Sequence, residues 1–340
     1  MRPMNKIIRS ICWFAERPSD SQVPDQLNAI QAQLVERGYE IQTKRVCFKQ
    51  VRLNALPQWD RDYGLFLSLG TLDPLSFFPI LDDFLHAGNV SVNLDLTDGV
   101  KPEHVEPLFE IAQHNPSKMF NFAFTFHNRL SSPFFPSATF ERPGYAIGLQ
   151  PTNLSKGCLD LSAWFRAMES VWLEICQIFK DNDHFLGIDS SIAPLFLDHS
   201  SLVHFVKQIY GDFSKAVTTN CFIRMTDFIT KHNPKPVGLC GLMLPCLEDF
   251  ELAAEYEAGN FSIERNLFLA LHSGLGVDTY PIGIDEKPER VLAVLNLLQK
   301  LSAKFKKPLS ARFVSDGKAK IGEISDFQNQ YLRDVKIRAL

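Results

Sequence analysis

The chain has 340 residues, 45% hydrophobic and 22% charged, with a net charge of −4. That length suits two average domains or one large α/β unit, and the composition is that of an ordinary globular protein. No basic stripe favours nucleic acid, no Lys-rich amphipathic stretch favours a membrane surface, and no apolar run reaches the roughly eighteen residues that span a bilayer.

Strand-like apolar runs alternate with amphipathic helical stretches. The opening Met-Arg-Pro-Met-Asn-Lys leads directly into a strand over 6–14 with no secretory pattern, so a cytoplasmic location is expected. A helix over 23–37, bracketed by Asp25 and Glu36 and followed by Gly38, comes next. Strands over 39–48, 64–69, 89–95 and 119–126 follow, with helices over 74–87 and 103–115 between them. Within 119–126 the alternating Phe120, Phe122, Phe124 and Phe126 should lay their rings on one core face. The stretch 127–143, rich in Ser, Pro and Phe, is the one long irregular insert, and a packed loop is preferred to a mobile lid. Strand 144–150 leads to a helix over 158–180, whose Leu159, Leu161, Trp164, Met168, Val171, Trp172, Ile175 and Phe179 should make one broad apolar face. Strands over 184–189, 236–244, 276–282 and 308–314 complete the set, with helices over 200–210, 214–231, 248–258, 262–272 (capped by Ser262) and 286–305. Such alternation implies mostly parallel pairing with helices covering the sheet. The tail Gly317–Leu340 should pack as an arm on the body or on a neighbouring subunit.

Seven cysteines are scattered with no Cys-x-x-Cys pair and no His at zinc-finger spacing, so they read as small buried hydrophobes suited to a reducing compartment. No spacing names a metal or a cofactor, and both stay open.

Three segments carry candidate chemistry. In Gly187-Ile-Asp-Ser-Ser-Ile-Ala-Pro194, Asp189 stands where an apolar strand ends, as an acid/base, a cation ligand or merely an Asx-turn residue, with Ser190 and Ser191 as donors or caps. In Pro236–Asp249, Gly238 and Gly241 flank Cys240 and leave room for a ligand or another backbone. Cys240 is a nucleophile only if a base or cation lowers its pKa, and an inert buried thiol is favoured. Glu248 and Asp249 open the next helix, where its dipole alone accounts for them. In Gly274–Asp285, the glycine pair lies before the strand and is no dinucleotide fingerprint; Asp285 is either ligand-facing or a helix cap. Arg312, in the apolar strand Pro308–Val314, must find a carboxylate or an anionic ligand.

With Ile7-Ile8-Arg9-Ser10-Ile11 and Ser310-Ala311-Arg312-Phe313, these segments carry a resemblance to the family called domain of unknown function 711, over most of the chain. The resemblance implies a fold similar to pyruvate formate-lyase-like glycyl radical enzymes: a single α/β barrel of about ten strands surrounded by helices, with a segment entering the barrel. The barrel would span 1–316 and an arm 317–340. It would put Cys240 on a lumen-facing segment, with Asp189, Asp285 and Arg312 lining the cavity. Radical chemistry does not carry over, because no Arg-Val-x-Gly-aromatic loop occurs between Gly317 and Leu340. The chain also departs from the family pattern, with Cys240 where a small hydroxyl-bearing residue is usual and Gly283-Ile284-Asp285 where Pro-Gly-Asp is usual.

The expectation is a non-radical enzyme acting on a small anionic carbonyl- or hydroxyl-bearing metabolite in the lumen. Asp189, Asp285 and Cys240 would be its catalytic groups, and Arg312, Ser190, Ser191, Gly238 and Gly241 would bind substrate. The alternative is a non-catalytic metabolite-binding or regulatory protein. A homo-oligomer is expected, with the aromatics of 131–140 and the tail as contacts.

Overall fold

Side chains alternate across a strand, so a sheet covered by helices on one side must sort its residues into two sets. The computed structural model describes residues 6–49 and 51–340. Among these, ten strands join in one sheet. They are β1 (Lys6–Ala15), β2 (Tyr39–Ile41), β3 (Lys44–Phe48), β4 (Phe66–Leu72), β5 (Val90–Asp95), β6 (Phe122–Phe126), β7 (Gly144–Leu149), β8 (Phe185–Asp189), β9 (Gly276–Pro281) and β10 (Leu309–Val314). The order is β8-β7-β1-β3-β4-β5-β6-β10-β9, with β2 beside β1. Strands β1, β3, β4, β5 and β6 run parallel. Antiparallel joints attach β7 to β1 and β10 to β6. The α/β class is therefore as expected.

The sheet is not closed by a continuous ladder. Its end strands, β8 and β9, are separated by residues 236–245, which touch both sides through isolated parallel bridges. Ile188 and Ile192 meet Pro236 and Leu242 on one side, and Gly274 and Asp278 meet Leu242 and Pro245 on the other. The strand expected over 236–244 does not form. Pro236 and Pro245 lack the amide a ladder needs, and Gly238 (φ 74°) and Cys240 (φ 43°) leave the extended region. The hydrogen-bonded ladder therefore traces an open ten-stranded path.

On the helix-covered face stand Val46 and Phe48, Leu67 and Leu69, Val92 and Leu94, and Phe122, Phe124 and Phe126, all in the main core. The residues between them, Arg45, Cys47, Ser68, Ser91, Asn93 and Thr125, face the other way. Phe120 escapes the aromatic row. A 3₁₀ turn (Pro116–Asn121) precedes β6 and breaks the period, and Phe120 turns to the inner side. The long helix forms as Leu161–Ile178, with Asp160 as its N-cap and Trp164, Met168 and Trp172 fully buried; Leu159, expected on the same face, lies before the cap and is exposed. Each such side chain contributes roughly 1.5–3 kcal/mol by leaving water. The helix expected over 214–231 is broken into Phe213–Val217 and Cys221–Lys231.

The irregular insert lies against the inner face. Asn93 Nδ2 donates to the carbonyls of Pro136 and Ala138, and Thr71 shares its hydroxyl with Thr139. Ala138 and Phe135 pack with Cys12, Phe14, Cys47, Ala146 and Leu186 in a small second core. Of the insert's aromatics, Phe134 is buried and Phe135 and Phe140 are half-buried. The tail folds back on its own chain. Arg333 N donates to Leu247 O, Arg338 N to Tyr256 Oη, and Val335 and Ile337 are buried.

Candidate functional site

The Asp189 cluster forms a closed clasp. Asp189 ends β8 with no exposure, and its carboxylate accepts five hydrogen bonds. Oδ1 takes Ser191 N (3.0 Å), Ser191 Oγ and Cys240 N (3.0 Å). Oδ2 takes Ser132 Oγ (2.8 Å) and Leu239 N (2.8 Å). The two bonds from Ser191 are local, the first an Asx turn; the other three staple segment 236–245 and the insert to the end of β8. Burial pushes the Asp189 carboxyl up, against the pull of these donors. Ser190 Oγ donates to Ile229 O (2.7 Å), and Ser191 Oγ accepts from Gly241 N (3.1 Å). The glycines serve the same packing. A Cβ at Gly238 would strike Asp189 and Ser132, and one at Gly241 would meet Leu275 at 2.5 Å.

Cys240 belongs to the clasp as well. Burial, followed by the nearby Asp189 charge, pushes its thiol up to about 11, the opposite of what a nucleophile needs. None of Asp189, Ser190, Ser191, Gly238, Cys240 or Gly241 borders the main cavity. Asp285 also lies outside it. Asp285 is exposed, its Oδ1 accepts Ile321 N (2.8 Å), and the following helix starts at Pro288, after Lys287 and with no side-chain cap. In the structure the polar atoms of these residues are occupied by the protein's own backbone and side chains, or face solvent, away from that cavity.

Arg312 alone of the expected residues reaches the cavity, a space of about 510 Å³ between the inner sheet face, residues 239–248 and the tail. Two other arginines meet it there, Arg9 of β1 and Arg45 of β3, with Glu248 and Asp278. Two sheet irregularities place these charges. The β1–β7 register slips between Ile8 and Ser10, so Arg9 is the extra residue of a bulge. The β9–β10 register slips between Ala311 and Phe313, beside Asp278 and the positive-φ Thr279. Bulges of this kind re-aim side chains next to sites.

The charges pair unequally. Arg312 Nε donates to Asp278 Oδ1 (2.6 Å) and its Nη2 to Glu248 Oε1. Arg9 Nη2 reaches Glu248 Oε2 at 3.1 Å, and its Nη1 reaches Gln42 Oε1 at 3.1 Å. Arg45 has no carboxylate within 4 Å among the described residues. Its Nε donates to Thr43 Oγ1 (3.0 Å) and its Nη1 to Pro133 O over a long 3.5 Å. The rings of Phe135 and Phe66 lie 5.0 and 5.9 Å from the Arg45 guanidinium carbon. Burial, then the neighbouring Arg9 cation, presses the Arg45 pKa down to about 9, so the group stays charged at neutral pH. For Arg312, burial also lowers the pKa, but Asp278 and Glu248 outweigh it and the net shift is upward. Asp278 Oδ2 accepts no hydrogen bond from the described residues.

Arg9, Arg45, Glu248 and Asp278 were not singled out from the sequence as ligand-facing. The signal for both arginines was the one used for Arg312, a guanidinium within an otherwise buried strand. Glu248 was explained by the helix dipole, a role its neighbour Asp249 fills by accepting the amides of Glu251 and Leu252.

Residues 166–328, somewhat under half of the chain, match the family model described as Uncharacterised ACR (DUF711). The matched stretch includes Asp189, Cys240, Glu248, Asp278 and Arg312, and leaves out Arg9 and Arg45. No curated protein matches the chain. Among the described residues no group of three or more His, Cys, Asp or Glu side chains could hold a metal ion. No described helix is long and apolar enough to cross a membrane.

Proposed function

We propose that the protein is a non-radical enzyme that holds a small anionic metabolite, bearing a carbonyl or hydroxyl group, in the 510 Å³ cavity. The observation that carries this reading is Arg45, 8% exposed, lining a cavity with no carboxylate of its own. A buried cation without a partner is costly, and a bound carboxylate supplies the missing one with a bidentate fit. Arg312, expected as the anion clamp, serves here to fix Glu248 and Asp278. Asp278 is the acid/base group of this reading: Arg312 Nε holds one oxygen, and the other is free for a substrate proton. The same reading takes residues 236–245 as the stave of a barrel similar to that of the glycyl radical enzymes. The isolated bridges to both neighbours support that view.

A non-catalytic metabolite binder has one specific observation in its favour. Both oxygens of Glu248 and one of Asp278 are already engaged by arginines. Native mass spectrometry of the purified protein, followed by incubation of the released anion with protein in D2O, separates the two. The enzyme reading expects conversion or C–H exchange that Asp278→Asn abolishes with binding retained. An anion that binds through Arg45 but returns unchanged and undeuterated supports the binder and removes the enzyme.

A further inference from the structure

The charge count of the cavity narrows the ligand. Three guanidiniums (Arg9, Arg45, Arg312) face two carboxylates (Glu248, Asp278), so the enclosed groups carry a formal surplus of one positive charge. The other ionisable groups on the lining are Glu40 and Tyr331; Glu40 is exposed to water at the rim, where its charge is screened. One negative charge therefore balances the chamber. A second would be left buried without a counter-charge, at high cost.

The walls narrow it further. Tyr331, from the tail, lies nearly parallel to Phe120 (centroids 6.3 Å apart, 15°) and to Phe196 (5.8 Å, 16°), and all three rings line the cavity. Leu195, Leu239 and Met243 add apolar surface. A surface of this kind rewards a flat apolar body and gives little to a compact, highly hydrated anion. The Tyr331 hydroxyl has no protein partner among the described residues, which leaves it free for a ligand oxygen.

We propose, resting on the anion-site reading above, that the ligand is a monocarboxylate with a flat apolar body, rather than a dicarboxylate or a phosphate ester. Its carboxylate sits on Arg45 and its body lies along the Phe120–Tyr331–Phe196 wall.

The test is titration calorimetry of the full-length protein with four probes: 3-phenylpropanoate, propanoate, glutarate and phenyl phosphate. 3-Phenylpropanoate is expected to bind at least about tenfold more tightly than each of the others, since it alone combines one charge with an apolar body. Its binding should vanish in Arg45→Met and weaken in Arg45→Lys, whose ammonium cannot form the planar fork. If Arg45→Met does not fold, the Arg45→Lys result decides alone. Glutarate or phenyl phosphate binding as tightly as 3-phenylpropanoate, with Arg45 still required, overturns the monocarboxylate class and leaves the anion site standing. Propanoate binding equally well overturns the apolar body. If no probe binds, or binding ignores Arg45, the anion site itself falls, and the ligand class with it.

Discussion

Asp189 and Arg45 are both buried charged side chains on the inner side of one sheet, and they end in opposite conditions. Asp189 is closed: five donors, from Ser191 just after β8, the insert and segment 236–245, converge on two oxygens. Arg45 is open: a hydroxyl and one distant carbonyl are its only hydrogen-bond partners among the described residues. Arg45 borders the cavity, so a partner from outside the protein can reach the guanidinium face that the protein's own donors and acceptors leave open. A buried charge whose bonds close is architecture. One whose bonds stay open is a candidate for a site.

Substitutions that break the comparison should differ in size and in sign. The largest effect is expected for Asp189→Ala, which orphans the amides of Leu239 and Cys240 and frees the segment between the sheet ends. A loss of about 4–5 kcal/mol in urea unfolding is expected. Next comes Arg312→Met, which strands Asp278 and leaves Glu248 with Arg9 alone; a loss of about 3–5 kcal/mol is expected by the same measurement.

A smaller effect sharpens the closed class through pH. Asp249, fully buried, accepts amides from two helix starts, Leu202 and Val203 as well as Glu251 and Leu252. Burial nevertheless pushes its carboxyl up to about 6. Between about pH 4 and pH 6 the folded state keeps a proton that the unfolded chain has released. Its contribution is therefore complete below pH 4 and lost as pH rises through 6, a change of roughly 2–3 kcal/mol. Unfolding curves of the wild type and Asp249→Asn should diverge across that window. Parallel curves would show that the amide donors, not burial, dominate there.

Much of the sheet was legible in the sequence because burial imposes a period of two. Val46 and Phe48 against Arg45 and Cys47 is a pattern that needs no coordinates. The segment 236–244 defeated the same logic. Its apolar run reads as a strand, yet two prolines and the positive φ of Gly238 and Cys240 reduce it to isolated bridges. The site was less legible, for a physical reason. Asp189, Ser190, Ser191 and Cys240 are conspicuous because polar residues crowd a strand end, and crowding is what lets them satisfy one another. Arg45 is less conspicuous: it lies within the expected strand 39–48 but follows Lys44, and adjacent charges normally signal solvent. That it lacks a partner depends on which residues β1, β10 and residues 244–248 bring near it. No local window contains that information. Asp285 shows the converse. A carboxylate after a strand looked ligand-facing, and the tail's Ile321 amide took it.

The central claim, that Arg45 is held charged and unpaired for a ligand, is tested most directly by the unfolding free energy of Arg45→Met without ligand. If the cation is uncompensated, replacing it with an apolar side chain of similar length leaves the protein as stable or more stable, by up to about 2 kcal/mol. A loss of several kcal/mol, matching Arg312→Met, would mean that Arg45 is paired within the protein after all, and would contradict the account.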